Sequence, residues 1–190
     1  MKKSTKRKDK NKKLENNRFT NLFFYFFAYS FIGFVVQSSY MKIMLLRGYL
    51  VEVQTFLRVL PLLPIFGFGA VGIILFFDKF KSLKKYPPLV YLVTTLICFV
   101  VEFGGGQLIK VFSPDGKNHL WDYSHSRFNL DGQVCLENTL LFGVGGLVIV
   151  YLVQPQLEKL TQKFNLNKVS IVLFIIFMLD FIYSVFHHAG

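Results

Sequence analysis

Three carboxylates interrupt apolar stretches of this 190-residue chain: Glu102 in LICFVVEFGGG, Glu137 in VCLENTLLF and Asp180 in IIFMLDFIYS. An ionisable group inside a bilayer costs about 3 kcal/mol and usually faces a bundle interior or a wet cavity, where it can bind an ion, a proton or a polar ligand. The alternative is structural, because a carboxylate can also join helices by hydrogen bonds worth about 0.6 kcal/mol each. The residue types alone leave both functions open.

The depths of these groups predict one shared cavity. At 1.5 Å per residue, Glu102 lies about 12 Å below the outer end of its helix near Lys110, Asp180 lies about as deep below His187, and Glu137 lies shallower. The inner half offers only Ser30, Thr94 and Thr95, whose hydroxyls can bond to their own helix. We therefore predict an acidic pocket that opens outward. Its candidate ligand-binding residues are Glu102, Asp122, Asn129, Glu137, Asn138 and Asp180.

The elements that must position these residues are membrane helices. Hydrophobic residues make up 53% of the chain, and the mean hydropathy is +0.43, well above a soluble domain. About 20 apolar residues span a bilayer as a helix. The sequence predicts an all-α, polytopic membrane protein with a basic tail at 1–18 and one membrane domain at 19–190. The predicted spans are 19–41, 59–77, 89–109, 135–153 and 169–186.

Charge predicts the orientation. With the N-terminus inside, 16 of the 22 Lys and Arg residues face the cytoplasm and six face outward, as the positive-inside bias requires. The polar stretch WDYSHSRFNLDGQVCLEN, residues 121 to 138, then lies outside. We expect it to form a lid over the pocket, with Trp121 and Tyr123 anchored among the lipid headgroups.

Several other functions lack their signatures. The basic tail has no interleaved aromatic residues to stack on bases, so a nucleic-acid partner is not predicted and the tail is expected to lie beside anionic lipid. His119, Asp122 and His125 have metal-ligand types, but they fall in a polar loop, and neither a metal nor another cofactor is predicted. No P-loop or Gly-x-Ser-x-Gly motif occurs, which argues against an enzyme.

Five stretches, taken in order, carry a family resemblance. They are PLLPIFGFGA (61–70), VVEF (100–103), WDYSHSRFNLDGQVCLENTLLFGVGG (121–146), YLVQP (151–155) and LDFIYS (179–184). Together they resemble the CmpB-like family of small bacterial membrane proteins, which are named as ABC-transporter permeases. The chain departs from the family before the second span, where YLVEVQTFLRV lengthens the link, and we expect an interfacial amphipathic segment from Ile43 to Val59.

The resemblance implies a multi-pass component of a solute or lipid transporter in the bacterial cytoplasmic membrane. Membrane lipids, an ATPase or other membrane subunits, and an unidentified solute or lipid are its expected partners. A different class remains open: a non-transporting scaffold or regulator of an envelope complex, packed through its Gly-rich faces. A third alternative is an enzyme that acts on lipid with Glu102 and Asp180 as a carboxylate pair.

Overall fold

The computed structural model describes residues 2–46, 60–113, 115–164 and 166–188. Within these ranges the chain is almost entirely helical, and the predicted all-α, polytopic fold is confirmed. The segment from Ile43 to Val59, predicted to be interfacial, lies outside the described residues except for its first four positions, which end the first helix. The helices are α1 (Lys2–Leu46), α2 (Pro64–Lys79), α3 (Pro87–Phe112), α4 (Leu136–Val148), α5 (Gln154–Lys163) and α6 (Asn167–His188).

Four helical segments of the described chain are long and apolar enough to cross a membrane. They are Arg18–Tyr40, Pro87–Phe112, Leu136–Lys163 and Asn167–Ser184. The exception is α2, whose 16 residues reach only about 24 Å along the helix axis, against about 30 Å of hydrocarbon. We call the two ends of the bundle inner and outer, after the sides that the charge pattern predicts.

Helix α2 begins inside the bundle. Pro64 occupies the first turn, where its missing N–H costs nothing, and the preceding Leu63 is extended, as a residue before proline prefers. The Leu63 N–H donates to the Ser30 carbonyl of α1 at 3.0 Å. At the inner end, Arg18 and Asp78 form an ion pair at 3.2 Å. Because Arg18 and Ser30 are about 18 Å apart along α1, α2 starts well below the outer surface.

Helix α2 lies near the centre of the bundle. Helix α6 packs against α1, α1 against α2, α2 against α3, and α3 against α4. Small residues on α2 permit these close approaches, since Gly67 lies against Phe26 and Ser30 of α1. The buried positions of α2 are Gly67, Gly69, Ala70, Ile73, Ile74 and Phe77.

The fourth membrane segment is one continuous helix with a changed turn in its middle. A π-helical stretch from Ile149 to Val153 joins α4 to α5, and the Gln154 N–H bonds to the Ile149 carbonyl, five residues back. The helix then continues to Lys163, ten residues past the predicted end of that span. A segment predicted to be a cytoplasmic loop is thus helical up to that residue.

Short extended and 3₁₀ segments complete the described chain. A 3₁₀ helix (Lys81–Lys85) connects α2 to α3 at the inner end. At the outer end, the loop between α3 and α4 contains two antiparallel two-residue strands, β1 (Asn129–Leu130) and β2 (Val134–Cys135). We call residues 115–135 the outer loop.

Candidate functional site

Glu102, the single acidic residue of α3, is buried and has one unsatisfied oxygen. Its residue is only 6% exposed. The Tyr123 hydroxyl donates to Oε1 at 2.8 Å, whereas Oε2 is buried and has no hydrogen-bond partner. Buried polar atoms are almost always paired, so a single unpaired carboxylate oxygen calls for an explanation.

Glu102 also lacks a counter-charge among the described residues. Lys110, two turns outward on the same helix, binds Asp131 instead, with Nζ 2.6 Å from Oδ2. The other described ion pairs join Arg18 to Asp78 and His119 to Asp115. The carboxyl group is therefore held in the bundle by one phenol hydroxyl and by its packing.

The outer loop directs Tyr123 inward because its own backbone folds into a tight turn. The Tyr123 N–H donates to the Gly132 carbonyl at 2.8 Å. Asn129 closes the turn from the other side, since its Oδ1 accepts from the Gly132 N–H at 3.1 Å and its amide donates to the Ser126 carbonyl at 2.8 Å. Gly132 has φ +67°, a conformation that favours glycine.

Two aromatic side chains of the outer loop face the bundle, not the headgroups. The Trp121 indole N–H donates to the Gln133 carbonyl at 2.9 Å, and its ring lies over Gly105 of α3. Tyr123 reaches Glu102, as described above. The predicted interfacial anchoring of these residues was therefore wrong. The sequence signal was ambiguous, because Trp and Tyr carry a polar tip that either a headgroup or a buried acceptor can satisfy.

A glycine of α3 lets the outer loop dock closely. A Cβ at Gly106 would overlap the Gln133 side chain, whose Oε1 accepts from the Asn118 amide at 2.8 Å. Gln133 is buried, as are the two residues that follow it, Val134 and Cys135. The outer loop is thus packed into the bundle one turn outward of Glu102.

Hydrogen-bond partners shift the pKa values of three side chains in the outer loop. The Lys110 ammonium and the Gln107 amide, at 2.6 and 2.7 Å, hold the pKa of Asp131 below its usual range. Hydrogen bonds from the Ser124 backbone and hydroxyl lower the pKa of Asp122. Burial raises the pKa of Tyr123, and the nearby Glu102 raises it further, so the Tyr123 hydroxyl remains a donor.

The predicted site residues separate into groups with different surroundings. The Asn138 side chain lies beside the Tyr123 hydroxyl and so belongs with Glu102. Asp122 and Asn129 bind groups of the outer loop itself and shape it. Glu137 is exposed in the first turn of α4.

Asp180 has other partners in another part of the bundle. It is 5% exposed, and its Oδ2 accepts from the Leu60 backbone N–H at 2.7 Å, just before α2. Ser184, one turn along α6, donates to its other oxygen at 3.4 Å. Helices α1 and α2 stand between α6 and α3 in the packing order, so the structure does not bring Asp180 to Glu102.

A second polar cluster lies toward the inner end, where the sequence predicted only hydroxyls that bond to their own helices. Tyr29 of α1 donates to Oε1 of Gln154 at 3.1 Å, and the Gln154 amide donates to Glu158 at 3.0 Å. Tyr25, one turn inward from Tyr29, bonds to Thr161 at 3.0 Å. The four-residue spacing of both pairs, Tyr25 with Tyr29 and Gln154 with Glu158, was the signal that could have revealed it.

Apolar membrane-length helices around buried polar groups define a polytopic α-helical membrane protein. The family described as "Putative ABC-transporter type IV" matches residues 24–185, most of the chain, and the chain belongs to this family. The predicted family resemblance is thereby confirmed. Comparison with curated proteins and with solved structures gives no match.

Proposed function

We propose that this protein is the membrane-spanning permease component of an ABC transporter in the bacterial cytoplasmic membrane. It works with an ATPase subunit at its inner end, and Glu102 beneath the outer loop is where it holds its substrate. The observation that carries this function is the buried Glu102 oxygen Oε2, which no group of the described chain satisfies. An apolar residue could pack at this position without the cost of about 3 kcal/mol that a carboxylate carries inside a membrane.

In this function the predicted residues have distinct roles. Glu102 and Asn138 contact the substrate, and Tyr123 closes over it from the outer loop. Asp122 and Asn129 fix the turn that carries Tyr123. Glu137 stands at the exposed entrance of the same site. Asp180 supports the bundle by fixing the start of α2 to α6.

The inner end supplies the surface for the ATPase subunit. The sequence predicted short loops there, yet α5 extends the fourth segment as a helix to Lys163. The 3₁₀ helix from Lys81 to Lys85 lies at the same end, and the Tyr151 hydroxyl ties it to the fourth segment by donating to the Lys84 carbonyl at 2.7 Å. Through these connections, a movement of the ATPase subunit at the inner end can displace the membrane helices.

The test begins with the partner. The tagged chain is purified from its native membranes into lipid nanodiscs, its companions are identified by mass spectrometry, and ATP hydrolysis is measured. We expect a P-loop ATPase in stoichiometric amount. A stoichiometric membrane protein without any ATPase would instead favour the scaffold function.

The site is tested in the same complex. Glu102→Gln should leave the ATPase bound, because the change lies far from the inner end, while transport-coupled ATP hydrolysis falls. Asp115→Asn is the matched control, since it removes an exposed outer-loop carboxylate that binds His119. Equal hydrolysis by both variants and the wild type would remove Glu102 from the function.

A further inference from the structure

We infer that the ligand of the Glu102 site presents a cationic nitrogen that bears N–H groups, such as a protonated amine or a guanidinium. This inference rests on the proposed function and names its substrate class. It starts from the two oxygens of one carboxyl group. Oε1 is satisfied by Tyr123, whereas Oε2 is buried without a partner.

Protonation of Glu102 does not remove this deficit. An ionised Oε2 lacks a donor, and a protonated Oε2 would lack an acceptor, because no polar group of the described chain forms a hydrogen bond with it. The missing partner must therefore come from outside the described chain. In either state, leaving such an atom buried costs about 1–3 kcal/mol.

The charges of the region select a cation as that partner. Lys110 is the nearest outward cation on α3, and it is engaged at 2.6 Å by Asp131, which also accepts from Gln107 at 2.7 Å. Asp131 of the outer loop thus neutralises Lys110 of α3, and an ionised Glu102 is left without a counter-charge among the described residues. A cationic N–H donor satisfies both the free oxygen and the charge, and such charge-assisted bonds are about twice as strong as neutral ones.

The packing limits how much of the ligand can enter. One turn outward of Glu102, Gln133 lies so close to Gly106 that a Cβ would overlap it, and the Trp121 ring covers Gly105. The Tyr123 hydroxyl bonds to Glu102, and the Asn138 side chain lies beside that hydroxyl. We expect a single small cationic head to fit, and the outer loop to lift as it enters.

The first experiment measures binding by the purified protein in nanodiscs. Its Tm is followed while methylammonium or guanidinium chloride is added at constant ionic strength, with tetramethylammonium, which has no N–H, and sodium as matched cations. A concentration-dependent rise with the N–H cations alone is expected. An equal rise with tetramethylammonium, or no rise with either N–H cation, would overturn the inference.

Variants test whether Glu102 binds the cation that raises the Tm. Glu102→Gln should raise the half-saturating concentration of the N–H cation at least about tenfold, because one charge-assisted hydrogen bond is lost. Asp115→Asn should respond as the wild type does. An unchanged response of Glu102→Gln would locate the cation elsewhere.

A second measurement needs no variant and covers the case in which Glu102→Gln fails to fold. Dicyclohexylcarbodiimide labels carboxyl groups in apolar surroundings, and guanidinium, which unlike methylamine does not couple to the activated carboxyl group, should protect Glu102 of the wild type, as read by peptide mass spectrometry. Labelling that guanidinium does not slow would contradict the inference. Neither measurement involves an ATPase, so failure here would change the substrate class and leave the partner experiment intact.

Discussion

The hydrogen bond from Tyr123 links the outer loop to a buried acceptor on α3, Glu102, and Tyr123→Phe removes only its hydroxyl. The bond is 2.8 Å long and its acceptor is a buried carboxyl oxygen. At a pH where this carboxyl group is ionised, such a bond contributes about 1.5–3 kcal/mol. A chain of this size loses about 2–4 °C of Tm per kcal/mol, so we expect a fall of about 3–12 °C.

The assay is thermal unfolding in nanodiscs, with hydrogen exchange of the outer loop as a local readout. Tyr86→Phe is the matched control, because Tyr86 is 62% exposed at the inner end and its change should cost less than about 0.5 kcal/mol. In a Glu102→Gln background the acceptor is neutral, so the loss on Tyr123→Phe should shrink to about 0.5–1.5 kcal/mol. Equal effects of the two Tyr variants, or equal losses in both backgrounds, would refute the reasoning.

Three further predictions follow from the same geometry. Gly106→Ala should destabilise the protein by about 1–3 kcal/mol through overpacking in thermal unfolding, whereas Gly104→Ala, with nothing within 4 Å, should be near neutral. Lys110 lowers the pKa of Asp131. Their ion pair therefore stabilises the protein above about pH 3.9, and this stabilisation is lost as the pH falls through the lowered pKa. Outer-loop hydrogen exchange, compared at matched chemical exchange rates, should therefore increase in acid, and Asp131→Asn should weaken that dependence. A Cys at Ser126 should react with an impermeant maleimide in intact cells and one at Ser82 should not, and the reverse pattern would overturn the topology.

The sequence predicted the helices well because length and hydropathy are local properties. Each apolar run of about 20 residues became a helix, and prolines marked the starts of α2 and α3. Helix bounds were harder where polar residues are helical. α5 carries Glu158, Lys159 and Lys163, so its composition is that of a loop. Its packing against α1 is a long-range contact, which the local sequence does not show.

The candidate site shows the same division between local and non-local information. Glu102 was found because a lone carboxylate in an apolar helix is unusual whatever surrounds it. Its partner Tyr123 is 21 residues away, and the inward direction of that side chain depends on the turn around Gly132. The inner cluster was missed for a similar reason, since Tyr29 and Gln154 are 125 residues apart.

Burial alone did not distinguish the two deep carboxylates, which are 6% and 5% exposed at Glu102 and Asp180. Their partners do distinguish them. Asp180 accepts from the Leu60 N–H, a backbone donor in the non-helical segment that leads into α2, so its carboxyl group completes the fold. The Oε2 atom of Glu102 bonds to no group of the described chain, although Tyr123 of the outer loop donates to the other oxygen. A carboxyl group that satisfies a backbone donor has a structural reason to be buried, whereas the half-satisfied one beneath the outer loop is the reason that we propose a ligand there.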